Sequence, residues 1–273
     1  MLCVICYRMP SRWCVEWGIL KGRSSMGELL LLSGFFAVAL LYASVGHGGA
    51  TGYIALLTLL MPGLPVREVS TTALILNMVV SGIALLQFAR AGHFPSRLAI
   101  PLLLASVPAA YIGGMLRVPL WLFHTTLVFG LMMAAIRLVM LPGGSAPAAL
   151  RPPSWGTALG VGGGIGLISG IVGIGGGVFL SPLMVLRRWA SPRDTAGIAA
   201  SFVLFNSLSG LLARGVAGTF ATGSLLLPMS IAVLGGIAGA YLGARHWRPA
   251  VLNKVLAMVL AIACTKLIVI VVR

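Results

Sequence analysis

Apolar residues run in long stretches from position 28 to the end of the chain, and polar positions fall almost entirely between them. The stretches cover residues 28–46, 49–61, 69–89, 98–116, 120–141, 156–174, 177–189, 196–213, 224–244 and 250–272. Most approach the roughly 20 residues that a helix needs to cross the hydrocarbon core of a bilayer. Two do not. Segments 49–61 and 177–189 hold about 13 residues each, and at about 1.5 Å per residue they reach about 20 Å of a core about 30 Å thick. The pattern predicts an all-α polytopic membrane protein with about 8–10 hydrophobic helices, two of them short segments that follow a break.

Glycine clusters precede both short segments: ASVGHGGATGY (Ala43 to Tyr53) and GIVGIGGGVFL (Gly170 to Leu180). Each glycine lowers helix propensity by about 1 kcal/mol and opens dihedrals closed to other residues, so the backbone is expected to break at both places. Isolated glycines at Gly34, Gly82, Gly130, Gly210 and in the Gly235-Gly236-x-x-Gly239 run read instead as close helix packing. Unwound backbone at membrane depth is tolerated only inside protein or along a wet cavity.

The two clusters belong to a longer correspondence. Pro65 aligns with Pro192, STTALILN (Ser70 to Asn77) with AASFVLFN (Ala199 to Asn206), and Ala91-Gly92-His93-Phe94 with Ala217-Gly218-Thr219-Phe220. Ala110-Tyr111-Ile112-Gly113 aligns with Ala240-Tyr241-Leu242-Gly243, and block order never changes. The organisation expected is an N-terminal extension (1–25), a first transmembrane repeat (26–141), a Pro/Gly-rich linker (142–155) and a second repeat (156–273). The extension has no clean signal-peptide core, and Met26 reads as a natural start. An odd number of segments per half predicts repeats inverted in the membrane.

Composition fits this solvent: 59% of residues are apolar and 8% charged. The net charge of +15 comes from residues dispersed at segment ends, as snorkelling and the positive-inside bias require, and no basic face for nucleic acid exists. A cytoplasmic linker gathers Arg90, Arg97, Arg151, Arg187, Arg188, Arg193, Arg245, Arg248 and Lys254 on one side, leaving Arg67, Arg117 and Arg214 opposite. Arg8, Arg12, Lys21 and Arg23 disagree unless the chain starts at Met26. Cys3, Cys6 and Cys14, with a lone Cys264, complete no zinc tetrad. His93, His124 and His246 are placed near interfaces, so no metal and no cofactor is expected.

A helix starting inside the membrane aims free N–H groups and its positive dipole end inward, and two such starts form a site for an anion. The four acidic residues, Glu16, Glu28, Glu68 and Asp194, all lie at or beyond segment ends, whereas cation pumps and proton-coupled carriers commonly hold a carboxylate at depth. The polar groups near the breaks are neutral, including Ser44 and Ser70 in one half and Ser181 in the other. Candidate substrate-binding residues are Gly46, His47, Gly48, Gly49, Thr51, Thr71, Thr72 and Asn77 in the first half. In the second they are Gly173, Gly175, Gly176, Gly177, Ser201 and Asn206. His47, opposite Ile174 in the repeat, is either a substrate donor or proton-coupling group, or a structural histidine bonded to the opposing break.

At VGHGGATGYIA (Val45 to Ala55), GIVGIGGGVFLSPLM (Gly170 to Met184), the Thr/Ser-bearing helix that follows, and Gly-Ala-Tyr-Leu-Gly (Gly239 to Gly243), the chain resembles the TauE/SafE family of sulfite and organosulfonate exporters. The resemblance covers roughly residues 28–270. It implies a transporter that moves sulfite, sulfoacetate or similar anions across a bacterial inner membrane without ATP hydrolysis. Expected partners are a small anionic substrate and membrane lipid, with homo-oligomerisation left open. Neither G-x-S-x-G nor G-x-G-x-x-G is present, which argues against an enzyme. An anion channel, or a proton-coupled carrier of another small solute, is the alternative.

Overall fold

The computed structural model describes residues 25–60, 66–116, 149–215 and 226–248, with positions 250–252, 254, 255, 257 and 258 beyond them. The extension up to residue 24, segment 120–141 and the first part of the linker lie outside the described residues, as do the four cysteines and His124. Regular structure among the described residues is helical: α1 (Ser25–Ser44), α2 (Ala50–Leu60), α3 (Val66–Arg90), α4 (Ser96–Met115), α5 (Trp155–Val172), α6 (Gly177–Leu186), α7 (Pro192–Gly215) and α8 (Leu226–Tyr241). A π-helical turn, Leu242–His246, continues α8. Five of these stretches are long and apolar enough to cross a membrane: Val69–Arg90, Ser96–Met115, Trp155–Val172, Pro192–Ala213 and Leu227–His246.

Local chemistry sets the boundaries. Ser154 caps α5 by accepting from the Thr157 N–H at 3.3 Å. Pro192 opens α7, where a missing N–H is harmless, and Ser191 Oγ accepts from the Asp194 N–H at 3.2 Å. The short segment predicted to run to residue 189 ends as a helix at Leu186. There Arg188 turns left-handed (φ 56°) and the Trp189 N–H returns 2.9 Å to the Met184 carbonyl, closing the last turn.

After each break the chain doubles back. Gly52 lies against Val38 and Tyr42, and Gly34 against Leu56, so α2 descends antiparallel along α1. The Arg151 N–H donates 2.8 Å to the Arg188 carbonyl, bringing the approach to α5 beside the end of α6. The central pair, α3 and α7, is antiparallel: Leu74 meets Gly210, Asn77 meets Ser207, Leu204 meets Gly82, and Phe88 meets Gly197. The fourth helix of each half packs most extensively on the first helix of the other, α4 on α5 and α8 on α1. Side chains such as Leu104, Ile112, Leu159, Leu212 and Leu234 remain exposed, an arrangement suited to lipid, which is as apolar as they are.

Glycines at every fourth residue create both of these cross-half contacts. A Cβ added at Gly162, Gly166 or Gly170 of α5 would lie 2.9, 2.6 and 2.9 Å from the Cα atoms of Leu102, Ser106 and Ala110 of α4. Gly235 of α8 lies against the Phe36 backbone, and a Cβ at Gly239 or Gly243 would lie 2.7 and 2.8 Å from the Cα atoms of Leu40 and Ser44 of α1. Both registers rise together, so each pair is parallel and its backbones touch. Without a hydrophobic drive between helices in lipid, such contact is what holds them.

One end of the bundle gathers the basic residues. It carries Arg90, Arg97, Arg151, Arg187, Arg188, Arg193, Arg245 and Arg248, where Arg193 Nη2 donates 2.8 Å to the Trp247 carbonyl. His93, expected at an interface, is half-buried there, and its Nδ1 lies 3.1 Å from Asp194 Oδ1.

Gly166→Val should lower the thermal stability of the detergent-purified protein by at least about 2 kcal/mol through overpacking. Gly164→Ala, with nothing within 4 Å of the added methyl, should leave it unchanged or slightly raised. Paired thermal unfolding midpoints check both.

Candidate functional site

The two breaks meet half-way along α3 and α7. In the second, Gly173 takes a left-handed conformation (φ 74°) to end α5, and Gly176 (φ 78°) takes another immediately before α6. A side chain at either φ would be strained. The first break follows the same plan with Gly46 and Gly49 at positive φ. There the His47 N–H donates 2.8 Å to the Tyr42 carbonyl, which closes α1, and Gly46 fits against the Ala196 carbonyl of α7.

Asn77 joins these pieces. Its Oδ1 accepts from the Ala50 N–H at 3.1 Å, which caps α2 from 27 residues away. Its Nδ2 donates to Ser207 Oγ on α7 at 2.8 Å and points at the Ile174 carbonyl of the second break, 3.5 Å away. A single amide therefore bonds the start of one short helix, the opposite central helix and the unwound strand of the other half. Space for it exists because Gly48 and Gly175 have no Cβ; either side chain would collide with the Asn77 amide.

His47 crosses from the first break to the second. Its Nε2 lies 3.3 Å from Ser181 Oγ on α6, and its ring packs against Gly177, the first residue of that helix. The ring also lies within bonding range of the Val45 and Gly177 backbones, and the residue is 1% exposed. The Tyr42 ring meets it edge-on, and the Tyr42 hydroxyl pairs with Thr51 Oγ1 at 2.8 Å.

The start of α6 is dressed differently from that of α2. No side chain caps it. Ser169 Oγ lies 3.1 Å from where a Gly176 Cβ would stand, is buried, and bonds nothing among the described residues. Asn206 is 2% exposed, yet both atoms of its amide lack partners among the described residues. It lies one turn beyond Phe202 and Val203, which touch Gly176 and Gly177, and residues at that spacing share a helix face. Tyr53 Oη also lacks a partner among the described residues, but its ring is stacked on Phe35 in the apolar cluster.

Of the residues expected at the site, His47, Gly48, Asn77, Gly175 and Gly177 thus touch one another or each other's neighbours across the breaks, with Gly176 against Ser169. Gly46, Gly49 and Gly173 shape the backbone. Thr51 faces Tyr42, and Thr71 and Thr72 are buried about one and a half turns before Asn77 on α3. Ser201 donates to the Ile198 carbonyl of its own helix at 2.7 Å. Four participants were absent from the candidate substrate-binding set: Tyr42, Ser169, Ser181 and Ser207, of which Ser181 reads in the sequence only as a neutral polar group near the break. The signal for Ser169 was its place in the duplicated break, opposite Tyr42.

With two re-entrant helices in an apolar bundle, the relatives decide the class. Residues 30–267 match the family described as "Sulfite exporter TauE/SafE". The chain belongs to the TauE/SafE family. It is 32% identical over 239 residues to the "Probable membrane transporter protein y4hK" of Sinorhizobium fredii (strain NBRC 101917 / NGR234), covering 86% of this chain and 95% of that protein. No solved structure matches it. This TauE/SafE chain is a multi-pass membrane transporter.

Asn77→Ala should leave the buried Ala50 N–H and Ser207 hydroxyl without their partner, a loss of about 2 kcal/mol or more. The expected readout is a lower thermal unfolding midpoint with helical content retained at low temperature.

Proposed function

We propose that this TauE/SafE transporter carries small sulfur-containing anions, sulfite, sulfoacetate or other organosulfonates, across the inner membrane by alternating access at the paired helix breaks. The observation that carries the reading is the uncapped start of α6, buried at the centre of the bundle and faced by His47 from the opposite break. Helix N-termini attract anions through free N–H groups and the positive dipole end, and the neutral donors around this one suit an oxyanion. The family description and the relative's name support a transporter, and the word sulfite in that description supports the substrate class.

The antiparallel run of α3 and α7, and the exchange of α4 and α8 between halves, support two inverted repeats, 26–141 and 156–273, joined by the linker 142–155. Inverted repeats allow the two halves to rock about a fixed central site and expose it to each side in turn. An inside-negative potential favours outward movement of an anion by about 2.3 kcal/mol per charge per 100 mV, so export needs no coupled ion.

Purified protein in proteoliposomes should move sulfite or sulfoacetate in preference to sulfate under an imposed potential, with a rate that saturates. Gly175→Leu, whose side chain has no room beside Asn77 and Ser207, should reduce this to background. Folded protein that passes none of these anions would overturn the reading, and flux that stays linear in concentration would turn it into that of a channel.

A further inference from the structure

The duplicated breaks are alike in backbone but not in the state of their polar groups. At the first, the side chains that correspond to Ser169 and Asn206 are Tyr42 and Asn77, and both are spoken for: Tyr42 by Thr51, Asn77 by the Ala50 N–H and Ser207. At the second, Ser169 Oγ and both amide atoms of Asn206 are buried and without partners among the described residues, and no side chain there caps the α6 start. Each buried polar group left without a partner costs about 1–3 kcal/mol. Two such side chains, Ser169 beside Gly176 and Asn206 one turn beyond Phe202 and Val203, on the same helix start describe a place that something polar fills.

We infer that the oxyanion is bound at one break only, the start of α6, where Ser169 and Asn206 donate to it, while Asn77 occupies the equivalent position at α2 as a built-in substitute for a ligand. The inference rests on the transport reading above and specifies its site. The ligand it fits is a single sulfite or sulfonate group, whose three oxygens can accept from the α6 backbone N–H groups, the Ser169 hydroxyl and the Asn206 amide. Asn77 becomes a positioning residue: it fixes the second break through Ile174 and Ser207 without touching substrate. Ser181, at 3.3 Å from His47 Nε2, holds the imidazole in its orientation.

A symmetric site would make Asn77 and Asn206 equivalent, and this one does not. The test is the concentration dependence of sulfite flux in proteoliposomes for wild type, Ser169→Ala, Asn206→Ala and Ser81→Ala, together with the thermal shift that sulfite produces in each purified protein. Ser81 donates to the Met78 carbonyl of its own helix and serves as the control. Ser169→Ala and Asn206→Ala should each raise the KM for sulfite about tenfold and diminish the sulfite-dependent thermal shift. Their unfolding midpoints without sulfite should be unchanged or higher, because the deleted groups bond nothing among the described residues, and Ser169→Thr should restore part of the affinity. KM values and sulfite shifts within twofold of wild type for both alanine variants would overturn the one-sided site while wild-type flux leaves the transport reading standing. Absence of sulfite flux and of any shift in wild type would instead remove that reading and this inference with it.

Discussion

A helix that stops inside a bilayer leaves backbone amides and carbonyls where no water can bond them, and each one is expensive. In this transporter the demand arises twice, at the ends of α1 and α5, and much of it is met by one side chain. Asn77 caps α2 and at the same time reaches the second break and α7. The closing of the centre, the depth at which the short helices start and the approach of the two halves all follow from the reach of that amide. Glycine at positions 48 and 175 is the complementary requirement, since a Cβ at either would displace it.

Around this centre the halves are interlocked rather than merely adjacent. Each surrenders its fourth helix to the first helix of the other, and glycines at four-residue spacing let those parallel backbones touch along their length. Helices in lipid gain little from apolar contact alone, so close backbone approach and dispersion carry the association. At the basic end, Arg193 on the Trp247 carbonyl, His93 on Asp194 and Arg151 on Arg188 add polar ties between segments distant in sequence. Rocking of one half against the other would have to separate some of these end contacts while leaving the glycine-packed pairs intact.

The two breaks share a backbone plan and differ in polar dressing. A break needs only residues that allow its dihedrals, so several sequences serve. A ligand site also needs donors that the protein has not already used. His47 shows how the halves depend on each other: its chain position is in the first break, and its contacts are with Ser181 and Gly177 of the second.

Much of this was legible in the sequence because the bilayer imposes simple rules on it. Long apolar runs, short apolar runs after glycine clusters, and arginines at segment ends determined an all-α membrane chain, the positions of α1 to α8 within a few residues, and the two breaks. The family likeness was legible in the same glycine motifs. Side-chain pairing was not, because hydrogen bonds between residues such as Asn77 and Ser207 or His47 and Ser181 join positions more than 100 apart and leave no periodic trace. Nor could composition tell which of the buried polar groups were satisfied, as Ser201 and Ser169 look alike in the sequence and differ only in that one bonds its own helix. Where the backbone crosses and where it breaks depend on local hydropathy and dihedral freedom, so both could be read from the order of residues. That the short helices fold back, that fourth and first helices trade partners, and that polar groups at the second break stay unclaimed among the described residues emerged only in three dimensions, because each depends on which distant atoms come within bonding range.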